Sequence, residues 1–114
     1  MDFGQYLDVF VAECRELLES LNLSIVELER SADAAPQVID EIFRVAHSLK
    51  GVSSTMGFER MAGLTHEMEH LLDIVRAGGM SVDQDLITLL LGCLDLIEAA
   101  VDGIESNREE GIDP

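Results

Sequence analysis

Leu7, Phe10, Cys14, Leu17, Leu21, Ile25 and Leu28 follow one another at steps of three or four residues. That spacing keeps side chains on one face of a helix with 3.6 residues per turn. Glu13, Glu16, Glu19 and Glu27 turn mostly to the other side, so an amphipathic helix is predicted from about residue 4 to residue 30. Ser31-Ala32-Asp33-Ala34-Ala35-Pro36 breaks it, and Pro36 suits the first turn of a second helix, where its missing N–H is not needed. Ile42, Val45, Ala46, Leu49, Ser53 and Met56 form the second stripe, with Gly57 placed to end it. Met61, Leu64, Thr65, Met68, Leu72 and Val75 form a third, stopping at Gly78-Gly79. Ser81 and Gln84 have the spacing of a capping box before a fourth stripe of Leu86, Leu90, Cys93, Ile97, Val101 and Ile104.

No alternating strand pattern competes with these stripes. Short connections make neighbouring helices antiparallel, so the expected fold is all-α, an up-down-up-down four-helix bundle. The bundle is expected to occupy residues 1–106. Residues 107–114 read as a polar tail or the start of a linker, as in a domain cut from a longer chain.

Composition narrows the function classes. A chain of 114 residues, 47% hydrophobic, can bury one core. Its net charge of −16 would be repelled by phosphate-rich partners, which argues against nucleic acid and anionic membranes as ligands. The most apolar region, Leu86 to Val101, is interrupted by Thr88, Asp95 and Glu98, which argues against membrane insertion. The start, Met1-Asp2-Phe3, lacks the basic and apolar segments of a signal peptide, so a cytoplasmic location is expected. Cys14 and Cys93 form no C-x-x-C pair and lie on apolar stripes, which predicts buried, reduced thiols.

The uncommon polar residues are more informative. Lys50 is the chain's single lysine and lies three residues after His47, both off the apolar stripe of the second helix. His66 and Glu69 sit on a flank of the third helix. If these helices fold back around Gly57-Phe58, His47 comes level with Glu69 and Lys50 with His66 across one groove. A carboxylate accepting from Nδ1–H of His47 would fix the tautomer that leaves Nε2 free and nucleophilic. Lys50 would set a positive charge beside a phosphoryl group. Gly51 either admits a docking partner close to the histidine or marks a tight helix contact.

"AHSLKG", followed by "SSTMGF" and "LTHEMEHLLD", resembles the histidine-containing phosphotransfer (HPt) domains of chemotaxis-type histidine kinases, over nearly the whole chain. The resemblance implies a bundle of four or five helices, the short fifth lying beyond this chain's end. It implies that His47 is phosphorylated, that Glu69 hydrogen-bonds it, and that Lys50 and His66 support the site. It further implies docking around Gly51, with Arg44 and Ser54 beside it. The phosphoryl group would come from ATP and Mg held by a separate kinase catalytic domain of the same or a paired chain. It would pass to an aspartate on a response regulator receiver domain. No Gly-rich phosphate loop occurs here, so no cofactor is expected in this domain, which is taken to be monomeric alone. A stand-alone HPt relay protein is an alternative from the same family.

Two readings from other classes remain. His66-Glu67-Met68-Glu69-His70 fits the H-E-x-x-H pattern of zinc metallopeptidases. The metzincin continuation would need glycine and histidine where Asp73 and Arg76 stand, so a third ligand would have to be a distant Glu such as Glu98 or Glu105. Coincidence explains the match better. A purely structural adaptor bundle accounts for the stripes but not for the level polar pairs.

Overall fold

The computed structural model describes residues 2–31 and 35–107. Among these it shows four helices and no strand: α1 (Phe3–Arg30), α2 (Ala35–Thr55), α3 (Glu59–Arg76) and α4 (Gln84–Asn107). Part of the expected break after Ser31 lies outside the described residues, as does the tail expected over residues 107–114 apart from Asn107, which is the last residue of α4. Each helix touches only its two neighbours around the ring, α1–α2–α3–α4, and the diagonal pairs do not approach. The result is the up-and-down bundle, a rod of 46 × 24 × 19 Å. Among the described residues no helix is long and apolar enough to cross a membrane.

The helix ends are set by local chemistry. At the start of α1 the Asp2 carboxylate accepts the Gln5 amide N–H at 2.9 Å, and the Gln5 side chain accepts the Asp2 N–H at 2.9 Å. This reciprocal pairing satisfies two amides that a helix N-terminus leaves open. The box expected at Ser81 does not form. Asp83 caps α4 instead, its carboxylate accepting from the Leu86 amide at 3.0 Å and its carbonyl from Ile87 at 3.1 Å. Asp is at least as good a cap as Ser, and the loop extends two residues further to use it. α2 and α3 each end at a left-handed glycine, Gly57 and Gly78, both with φ of +81°. Phe58 N–H donates to Ser53 O at 2.9 Å and Gly79 N–H to Ile74 O at 2.9 Å, which satisfies the last carbonyls of α2 and α3.

Leu21, Ile25, Ile42, Leu49, Met61, Leu72, Leu90 and Ile97 are wholly enclosed along the axis. Five stripe positions, Leu17, Val45, Met56, Leu64 and Cys93, are only partly buried. Leu18 is buried rather than Leu17, and Leu94 rather than Cys93. At roughly 100° per residue a step of four from Cys14 or Leu90 lands about 40° off, whereas a step of three lands about 60° off on the other side. Leu17 and Cys93 therefore pack at the flank. Cys93 is half-buried, so only Cys14 meets the expectation of a fully enclosed thiol. Burial pushes the Cys14 thiol up to about 12, with repulsion from Glu13 adding to it and Arg15 opposing. The α2–α3 interface is the most intimate, and the polar residues buried there are satisfied. Ser53 donates to Leu49 O, and Thr65 donates to Met61 O and Ala62 O at 3.0 Å. At the tip of the hairpin, Phe58 packs its ring on Phe10 of α1, centroids 5.2 Å apart. Across the bundle Arg15 of α1 binds Asp102 and Glu105 of α4 at 2.7 and 3.3 Å.

Candidate functional site

The α2–α3 hairpin carries the site. His47 projects from α2 with its side chain 64% exposed, while Glu69 on α3 is tucked into the groove at 12%. His47 Nδ1 lies 2.9 Å from Glu69 Oε1. The same carboxylate receives Lys50, whose Nζ is 2.9 Å from Oε1 and 3.1 Å from Oε2. One acid thus holds both residues of the "HSLK" segment. Burial works against ionisation of Glu69, but the hydrogen bonds from Lys50 and His47, and then their charges, outweigh it. The carboxyl is held below its usual range. An ionised carboxylate can only accept, so Nδ1 carries the ring proton and, in the neutral ring, Nε2 keeps its lone pair toward solvent.

The expected partnership of Lys50 with His66 is not found. Lys50 turns to Glu69, and His66 stands exposed one turn away, outside the contact. Equal height along antiparallel helices brings residues near one another without choosing the partner. A long flexible ammonium goes to the carboxylate within reach rather than to a neutral imidazole.

Arg44, His47, Gly51 and Ser54 recur at helical spacing on one exposed strip of α2. Nothing lies within 4 Å of where a Gly51 Cβ would stand, so the glycine does not serve a tight helix contact. It leaves the approach to His47 open. Thr55 closes this strip by donating its hydroxyl to Gly51 O at 2.9 Å.

His66 and His70 are both exposed on α3. Of the distant acids, Glu105 pairs with Arg15 and Glu98 lines the groove between α1 and α4. Among the described residues no three His, Cys, Asp or Glu side chains are grouped to hold a metal.

Two residues near the site escaped the reading of the sequence. Phe43, one turn before His47, lies nearly parallel to the imidazole, with 10° between planes and 6.5 Å between centroids. Arg76, from the end of α3, places its guanidinium carbon 4.4 Å from the Phe43 ring centroid. Its Nε is 3.4 Å from Asp40 on α2. Asp40 and Arg76 obey the same level rule as His47 and Glu69, which was the signal available for them.

Residues 5–103 match the Hpt domain family. The chain is 40% identical over 113 residues to chemotaxis protein CheA of Bacillus subtilis, covering 96% of this chain and 17% of that protein. It is 43% identical over 104 residues to chemotaxis protein CheA of Halobacterium salinarum, covering 91% of this chain and 15% of that protein. Among solved structures, the CheA phosphotransferase domain from Thermotoga maritima superposes with a TM-score of 0.87 at 39% identity, covering 93% of this chain and 100% of that one. The chain thus spans 17% or less of the length of these two curated relatives.

Proposed function

The chain belongs to the Hpt domain family, and from that premise we propose that His47 is its phosphoryl carrier within a chemotaxis-type histidine kinase. The observation that carries the reading is the 2.9 Å contact of Nδ1 with the half-buried Glu69 carboxylate, on a ring otherwise open to solvent. The Nε2 lone pair attacks the γ-phosphorus of ATP presented by a separate kinase catalytic domain, where the accompanying Mg is held. The N–P bond forms, the bond from phosphorus to the bridging oxygen breaks, and ADP leaves with that electron pair. Positive charge grows on the ring as this happens, and Glu69, accepting from Nδ1–H, stabilises it. In the second step a receiver-domain aspartate of a response regulator attacks the phosphorus, and the N–P electron pair returns to Nε2.

Lys50 acts here chiefly by keeping Glu69 ionised, with its outer face toward the incoming phosphoryl oxygens. Arg44, Gly51 and Ser54 form the surface on which donor and receiver domains dock. In this reading the domain is the phosphocarrier part of a transferase, cytoplasmic, monomeric by itself, and dependent on another domain for ATP. Incubation with a CheA kinase core and ATP tests it. The wild-type chain should acquire one acid-labile phosphate, and His47→Gln should acquire none while folding normally. Substantial phosphohistidine in that variant would move the site to His66 or His70 and overturn the assignment.

A further inference from the structure

One hydrogen bond does not orient an exposed ring. With Nδ1 anchored on Glu69, the imidazole can still swivel about that bond, and each rotation sweeps Nε2 along an arc. In-line attack on phosphorus needs the lone pair held along one direction. A second contact to the ring plane removes that freedom, and the structure supplies one. Phe43 lies 10° from parallel to His47 at a centroid separation of 6.5 Å, within the range of offset aromatic pairs. Phe43 is itself partly buried against the core. It is fixed from a second side by Arg76, whose guanidinium sits over the ring at 4.4 Å. Arg76 is in turn held by Asp40 at 3.4 Å and lies 3.9 Å from Asp73.

We infer that Phe43, held by Arg76, is a positioning residue that fixes the plane of the His47 imidazole for phosphoryl transfer. The inference rests on the proposed role of His47. It places the whole orienting apparatus on the hairpin: Glu69 sets the tautomer and Phe43 sets the plane. Arg76 touches neither reacting atom and acts through the ring it covers.

The test combines kinetics with carbon-relaxation NMR of the His47 ring C–H bonds in the intact domain. Phosphorylation by a CheA kinase core is measured against domain concentration for wild type, Phe43→Leu, Phe43→Tyr, Arg76→Gln and Arg76→Lys. Phe43→Leu should lower kcat about two- to five-fold, as suits an aromatic pair near the long end of its range. KM for the domain should not change, because docking is untouched. Phe43→Tyr keeps the ring and should behave as wild type. Arg76→Gln should show a smaller loss that Arg76→Lys restores. The His47 ring C–H bonds should lose order in Phe43→Leu by carbon relaxation, without any kinase present, while the ring nitrogens keep the Nδ1–H tautomer that Glu69 sets. A folded Phe43→Leu with unchanged kcat and unchanged ring order overturns the inference, and so does a change confined to KM. Should Phe43→Leu not fold, Arg76→Gln decides by the same two readouts. If wild type accepts no phosphate at His47 from an active core, the proposed function fails instead, while the ring order still reports whether Phe43 orients the imidazole.

Discussion

Replacing Glu69 with Gln keeps the size of the side chain and one accepting oxygen but removes the charge that His47 and Lys50 share. A full positive charge on the imidazole, about 4 Å from the carboxylate, would be stabilised by ~1 kcal/mol in bulk water and ~4 kcal/mol at the effective dielectric of a protein surface. The pair stands between these limits, since His47 is 64% exposed and Glu69 only 12%. The ring carries only part of a unit charge at the transition state, and Lys50 at 2.9 Å already offsets some of the anion. About 1–2 kcal/mol is therefore lost, or roughly a 5- to 30-fold slower phosphorylation of His47. That falls below the ~10² to 10⁴-fold usual for enclosed acid–base assistance, as an open site should. The ion pair with Lys50 is worth about 1 kcal/mol or less at this exposure, so the melting temperature should fall by no more than a few degrees. The assay is single-turnover transfer from a saturating CheA kinase core with labelled ATP, read as acid-labile phosphate. A rate within two-fold of wild type would show that the 2.9 Å contact has no bearing on the chemistry. A loss beyond a thousand-fold in a folded variant would refute the solvent-screened estimate and make the carboxylate indispensable.

Gly51→Gln should leave the melting temperature unchanged or raise it, because a side chain there meets open space and glycine is a weak helix former. It should nevertheless slow transfer from phosphorylated His47 to a receiver domain; unchanged transfer would remove Gly51 from the docking surface. Gly57→Ala meets no steric obstacle but must adopt φ of +81°, so a backbone cost of about 1 kcal/mol and a melting point lower by about 4 °C are expected by calorimetry. Cys14, its thiol raised to about 12, should resist iodoacetamide at pH 8 in the folded domain and react once urea unfolds it. Glu69 has a folded-state pKa below 4.5, so the stability it contributes is present above that value and lost as pH falls through the lowered one. Carboxyl carbon NMR should give a titration midpoint beneath 4.5, and a midpoint at or above it would contradict the shared hydrogen bonds.

The four helices were legible because each carries a long stripe and ends at glycine or proline, signals that depend only on local geometry. Leu17 and Leu18 could not be separated, since both satisfy the three-or-four step and only the directions of α2 and α4 decide between them. The meeting of His47 and Glu69 could be read from their heights on an antiparallel hairpin. Height says nothing of how a flexible side chain chooses among partners, which is why it points Lys50 at His66 although the ammonium sits on Glu69. Phe43 was hidden for another reason: an apolar residue beside a stripe looks like core until its ring is seen lying along the imidazole.

The turn between α2 and α3 has a consequence for how this chain tolerates insertions and deletions. Thr55 ends one helix, Glu59 begins the next, and the Phe58 amide is bonded back to Ser53. One residue added to α3 between Glu59 and Glu69 would turn Glu69 by about 100° and shift it about 1.5 Å along the axis, far outside a 2.9 Å contact with His47. A residue added to the turn itself would reset the register of the whole hairpin. The loop from Gly79 to Asp83 has no such duty, as neither of its ends touches the histidine. Length variation among functional relatives should therefore gather between α3 and α4, while the spacing from His47 to Glu69 stays fixed at 22 residues.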